Sequence, residues 1–218
     1  MAGRGCIAVI DYGMGNLRSV AKALEHAAPG RAVTVTGDPE RVLAAERVVF
    51  PGVGAVGDCM AELRRLGLDR ALREVAAAGR PLLGICLGLQ ALFEASEESG
   101  GAAGLGLLPG RVRAFPEPLR DPRTGARLKV PHMGWNQVFP TRPHPLWEGI
   151  EPGERFYFVH SYYACPAAEG DVAATCEYGL RFPCAVAHGS LFAVQFHPEK
   201  SQRAGLRLLA NFAGWEPA

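Results

Sequence analysis

The sequence predicts an α/β domain: an open, mostly parallel sheet flanked by helices, with antiparallel additions in its second half. Three observations carry that expectation. Up to about Gly100, short apolar runs alternate with helical periodicity; after it, β-like runs follow one another between Pro and Gly. No repeat, low-complexity tract or long linker divides the 218 residues, which are 48% apolar and read as one domain over 1–218.

Residues 6–10 (CIAVI) read as a buried strand. After it Leu17, Val20, Ala21 and Leu24 fall on one helical face. Residues 32–36 (AVTVT) and 47–50 (RVVF) are the second and third strands, and helical stretches follow at about 55–66 and 69–78. Residues 81–85 (PLLGI) form a fourth strand and 87–95 (LGLQALFEA) have helix-forming composition, which sets Cys86 at a strand-to-helix turn. Beyond Gly100 the β-like runs are RVRAF, RLKV, WNQVF, RFYFVHSYYA, DVAATCEY, CAVAHG and LFAVQF, and the chain closes on a helix, QRAGLRLLANFA. Residues 115–129, rich in charge and proline, read as an exposed hairpin or loop.

Composition excludes several classes. Lys and Arg total 23 against 22 Asp and Glu, and no basic block is interleaved with aromatics, so nucleic acid is not the expected partner. The N-terminal apolar run is too short for a signal-peptide core and no other reaches membrane length; a soluble, cytoplasmic protein with no membrane contact is expected. Cys6, Cys59, Cys86, Cys165, Cys176 and Cys184 form no C-x-x-C pair, which predicts reduced thiols rather than a zinc site or disulfide framework. GMGN after the first strand lacks the third glycine of a dinucleotide fingerprint, and FPGVGAVG (50–57) lacks the Gly-Lys-Ser/Thr of a phosphate loop. Neither a cofactor nor a metal is expected.

A cysteine beside an apolar strand is by default a buried structural thiol. GICLG, however, has the form G-x-nucleophile-x-G, in which flanking glycines allow a turn sharp enough to project Cys86 from the carboxyl edge of the sheet. A helix starting at Leu87 would aim N–H groups at the sulfur and favour thiolate. At the end of another apolar strand, His197 precedes Glu199 by two residues, a spacing that lets a carboxylate orient the imidazole; alone, His-Pro-Glu could be a surface turn. Gly52 and Gly54 flank Val53, so a peptide N–H there could turn toward an oxyanion beside that of Leu87, or the stretch could be an ordinary glycine-rich loop. His132, Trp135, Tyr157 and His160 read as core or hairpin packing, and His26, His144 and His188 as surface or loop residues.

Taken together, GICLGLQ and FHPEKS resemble the class I (triad) glutamine amidotransferases. DYGMGNLRSV, PGVGAVGDCM, PHMGWNQ and YFVHSYY narrow the resemblance, over essentially the whole chain, to the glutaminase subunits of imidazole glycerol phosphate synthases. The resemblance implies the class I glutamine amidotransferase fold and a Cys86, His197, Glu199 triad. It implies an oxyanion hole at Val53 and Leu87 with Gly52, and binding of L-glutamine by Gln90, Glu98, Ser161 and Tyr162. Asn16, Trp135, Tyr157 and Lys200 would face a (β/α)₈-barrel cyclase subunit in a heterodimer. The implied activity is hydrolysis of glutamine to glutamate and ammonia, the ammonia serving imidazole glycerol phosphate formation in histidine biosynthesis. Two other readings share part of the pattern. A glutaminase of another synthase, such as anthranilate synthase, is opposed by Lys200-Ser201 and PHMGWN, and an inactive regulatory module by the complete triad. EPLRDPRTGA is the least family-like stretch.

Overall fold

The computed structural model describes residues 5–217; the first four residues, read above with the N-terminal run, lie outside them. In the first half, β1 (Ile7–Ile10), β2 (Val33–Thr36), β3 (Arg47–Gly52) and β4 (Leu82–Cys86) alternate with α1 (Leu17–Ala27), α2 (Pro39–Ala44), α3 (Val56–Leu66) and α4 (Leu68–Ala77). The chain continues through α5 (Leu87–Leu92), β5 (Phe93–Ser96), β6 (Ala102–Ala103), β7 (Leu108–Ala114), β8 (His132–Gln137) and β9 (Phe139–Pro140). It then forms β10 (Arg155–His160), β11 (Tyr162–Pro166), β12 (Val172–Tyr178), β13 (Leu180–His188), β14 (Leu191–Val194) and α6 (Gln202–Gly214).

The main sheet has the order β2-β1-β3-β4-β14-β13-β12-β9. It is parallel through β14, which returns beside β4, and antiparallel from β13 outward. Its central strands read as continuous apolar runs because helices cover both faces. Successive side chains alternate: Ile7 and Val9 pack with Val20 and Leu24 of α1 and Leu208 and Phe212 of α6, whereas Ile10, Val48 and Phe50 meet Leu63, Leu72 and Val75 of α3 and α4. Each such side chain, removed from water, contributes about 1.5–3 kcal/mol. Two smaller sheets, β11-β7-β5-β6 and the antiparallel ribbon of β8 with β10, stand beyond the carboxyl edge region and wall the site described below.

The RFYFVHSYYA run breaks at Ser161 into β10 and β11, which join different sheets, and three further segments differ from expectation. Residues 87–95 are not one helix: α5 stops at Leu92 and Phe93–Ser96 becomes a strand, with Phe93 opposite Leu108 and Ser96 opposite Val112. Pairing with β7, which buries Phe93 and Ser96, overrides the local propensity. The RLKV run at 127–130 forms no strand: it makes the isolated Arg120–Arg127 bridge, a Leu128 N–H bond to Leu119 O (2.9 Å) and a Lys129 O bond from the Tyr178 hydroxyl (2.7 Å), with no continuous ladder. Around it, 115–129 is mostly exposed, with Phe115 and Leu119 anchoring it in the core, and its turn is held by Asp121 Oδ1 accepting from the N–H groups of Arg123 and Thr124. Conversely, α2 was not expected. Its six residues bury only Val42, too few for periodicity to register, although Asp38 caps it (Glu40 N–H to Oδ1, 3.0 Å) and Pro39 opens it.

Candidate active site

Parallel neighbours end at the same edge. Because Gly52 pairs with Cys86 and Val194 with Ile85, the chain leaves β3, β4 and β14 side by side and brings Val53, Cys86 and the 195–197 segment together. Cys86 takes φ 54° and ψ −105°, a left-handed conformation that strains an L-residue by about 1–3 kcal/mol. The tight turn needs the glycine that follows: a Cβ on Gly88 would lie 1.9 Å from the Phe50 carbonyl oxygen. A cleft of about 410 Å³ opens over the cysteine, walled by Val53, Gly54, Leu87, Gln90, Glu98, Pro131, the Val159–Tyr162 segment and His197. Cys86 itself is 7% exposed, so it is buried yet reached from the cleft. The helix behind it has only six residues, so its dipole is weaker than the nine-residue reading implied.

His197 faces the same cleft, and its orientation is fixed from both ends. Nδ1 lies 2.9 Å from Glu199 Oε1, with both side chains almost fully buried. Its backbone N–H donates to Tyr157 O (2.9 Å), and the Ser201 hydroxyl donates to His197 O (2.6 Å) while accepting from Tyr157 N–H (3.0 Å). Nε2 makes no well-formed hydrogen bond. Burial by itself would push this imidazole down; the Cys86 sulfur and the Glu199 carboxylate outweigh it and carry His197 up to about 9, so the ring is an imidazolium at neutral pH.

A polar chain runs along the opposite wall. Tyr162 O can only accept, so His160 Nδ1 carries the proton of their 2.7 Å bond; His132 Nδ1 then donates to His160 Nε2 (2.9 Å), and Asn136 Nδ2 to His132 Nε2 (3.2 Å). Burial lowers His132 to about 4 and His160 to about 3, the latter helped by the neighbouring His132 and His197, so both rings are neutral with fixed tautomers. Gln90 Nε2 also donates to Tyr162 O (3.3 Å) and to Gln195 Oε1 (3.2 Å), and Gln195 Nε2 reaches the Cys86 sulfur at 3.8 Å. Gln195 was passed over in the sequence. Its signal was a glutamine inside the apolar run LFAVQF, where a polar side chain must find partners.

The remaining expected residues divide. Ser161 and Tyr162 line the cleft, as does Glu98, but one Glu98 oxygen is occupied by the Val56 N–H at the start of α3 (2.6 Å). Gly52 stays in β3, while Gly54 takes φ +91°. Trp135 and Tyr157 are paired across the ribbon with ring centroids 6.1 Å apart, and Lys200 Nζ lies 5.7 Å above the Tyr157 ring. Asn16 is exposed at the start of α1, which packs against the 198–200 turn. His132 and His160 are buried among Phe158, Phe182 and Phe115, and His26 and His188 are exposed. His144 lies in a loop, as read from the sequence, and is half-buried there against Phe192 and Trp215. Among the described residues no cluster of three His, Cys, Asp or Glu side chains could hold a metal ion, and no helix is long and apolar enough to cross a membrane.

Known proteins share this architecture and sequence. The subunit HisH of imidazole glycerol phosphate synthase from Methylococcus capsulatus is 63% identical over 212 residues, covering 97% of each chain. That from Aromatoleum aromaticum is 61% identical over 211 residues, covering 97% of this chain and 99% of the relative. A structure of PurLQS from Thermotoga maritima superimposes with a TM-score of 0.74 at 19% identity, covering 97% of this chain and 98% of that one, and supports the fold alone. The family model for class-I glutamine amidotransferases matches residues 8–214, and the chain belongs to that family.

Proposed function

We propose that this chain is the glutaminase subunit of an imidazole glycerol phosphate synthase, hydrolysing L-glutamine to glutamate and ammonia and passing the ammonia to a separate cyclase subunit. The observation that carries the reading is Cys86 on its strained turn, facing a His197 held by Glu199, in a chain 61–63% identical to subunits of that name. The Cys86 thiolate attacks the carboxamide carbon of glutamine, and the N–H groups of Leu87 and Val53 receive the oxyanion. With its pKa raised to about 9, His197 is charged at neutral pH and gives its Nε2 proton to the departing ammonia. The neutral ring then takes a proton from water, which attacks the thioester; glutamate leaves, and thiolate and imidazolium are restored. Because both Nε2 protons of Gln90 are engaged by Tyr162 O and Gln195 Oε1, its own oxygen is left for the ammonium group of the substrate.

Alkylation tests the reading. A glutamine-like alkylator should give one adduct, on Cys86, from which excess glutamine protects; no adduct there, or one elsewhere, would overturn it.

The acceptor of the ammonia is a (β/α)₈-barrel cyclase forming a cytoplasmic heterodimer through the face that carries Asn16, Trp135, Tyr157 and Lys200. Trp135 is 42% exposed, so a large part of its surface is free for a partner to cover. Trp135→Ala should weaken assembly by about 2 kcal/mol or more, roughly thirtyfold, with the melting temperature of the free chain nearly unchanged. Titration calorimetry on the two subunits reads the first quantity and thermal denaturation the second; unchanged affinity would move the docking face elsewhere.

A further inference from the structure

Gln195 follows β14 between Val194 and Phe196, and all three are completely buried. Its place in the fold is secured by the backbone, whose N–H bonds the Cys184 carbonyl at 2.9 Å, so the amide side chain is not needed to hold the segment in register. An apolar residue of that shape would fill the space without requiring polar partners. The amide instead spans two members of the site: Oε1 accepts from Gln90 Nε2 at 3.2 Å, and Nε2 lies 3.8 Å from the Cys86 sulfur. The Val159 carbonyl, 3.9 Å from that sulfur, can only accept and offers nothing to a negative charge, and the His197 ring gives up its proton during the reaction. Unlike His197, a primary amide keeps its protons throughout a turnover.

We propose that Gln195 is a catalytic residue of the glutaminase reaction: its N–H stabilises the charged sulfur of Cys86, while its carbonyl locks Gln90 in the orientation that presents an oxygen to the substrate's ammonium. The proposal rests on the glutaminase reading above. It divides one side chain into two measurable roles, a donor acting on the sulfur and an acceptor acting on substrate binding.

Iodoacetamide enters the same cleft but lacks the α-ammonium and α-carboxylate of glutamine, so it reports the sulfur without depending on the contact with Gln90. In Gln195→Met, which keeps the length of the side chain, the rate of Cys86 alkylation at pH 7 should fall roughly three- to tenfold, the loss expected for one neutral donor. The difference should vanish near pH 10, where an ordinary thiol is ionised; a packing defect would not follow pH in this way. The KM for glutamine should rise in the same variant because Gln90 loses an acceptor. Gln195→Glu keeps an acceptor for Gln90 and replaces the donor by a carboxylate whose charge also opposes ionisation of the sulfur, so alkylation at pH 7 should fall at least as far as in the Met variant while KM stays within about twofold. Circular dichroism checks that each variant folds, and the Glu variant carries the test should the Met variant fail. Wild-type alkylation at pH 7 in a folded variant would overturn the assignment. Failure of the wild-type chain to react at Cys86 with the glutamine-like alkylator would overturn the glutaminase reading instead.

Discussion

Cys86→Ser is expected to lose glutamine hydrolysis by roughly 10³-fold or more, while the complex with the cyclase continues to turn over on externally supplied ammonia. A serine hydroxyl is far harder to ionise than a thiol, so the strained turn would present a much weaker nucleophile to the carboxamide. Retention of ammonia-driven synthesis separates loss of the nucleophile from loss of the fold or the partner. The substitution also removes one of the two groups that lift His197, so its imidazole, followed by NMR, should titrate below about 9. The sign follows from linkage. With the folded value raised above the ordinary 6.5, the imidazolium's stabilisation is fully present below about pH 6.5 and is lost as pH rises through 9. In the serine variant the upper edge of that window should move down. Glutamine turnover close to wild type in Cys86→Ser would remove the cysteine from the mechanism.

The isolated chain is expected to hydrolyse glutamine barely at all, and the complex about 10²- to 10³-fold faster once the cyclase has bound its nucleotide substrate, an effect mainly on kcat. That factor is the usual consequence of one missing oxyanion donor. The loop after β3 has the means to withhold one. Val53 stands at the lip of the cleft, 43% exposed, and Gly54 beside it takes φ +91°, a region open to glycine at little cost. Gly52, held in the strand opposite Cys86, is fixed, so a peptide rotation would pivot after it. Partner and ligand would have to favour the conformer whose Val53 N–H faces the thioester oxygen. Steady-state assays on the free chain, the complex and the liganded complex read this directly, and equal turnover in all three would remove the switch while leaving the nucleophile assignment intact.

Much of this was legible in the order of the residues, because it depends on near neighbours. Apolar runs alternating with helical periodicity specified the parallel half of the sheet, since a strand covered on both faces must be apolar throughout. G-x-C-x-G specified the sharp turn at Cys86, and the two-residue spacing of His197 and Glu199 their hydrogen bond. Tertiary structure alone decided the rest. Phe93–Ser96 has helix-forming composition and is a strand only because β7 lies beside it. Gln195 reads as one polar residue in an apolar run; what makes it consequential is Cys86, 109 residues earlier, and Gln90, 105 residues earlier, meeting its amide inside the core. The tautomers of His132 and His160 follow from Tyr162 O accepting at the end of their chain. Local sequence encodes backbone conformation and periodicity, whereas the partner of a buried polar group is set by which strand ends the sheet brings together, and that is a property of the whole chain.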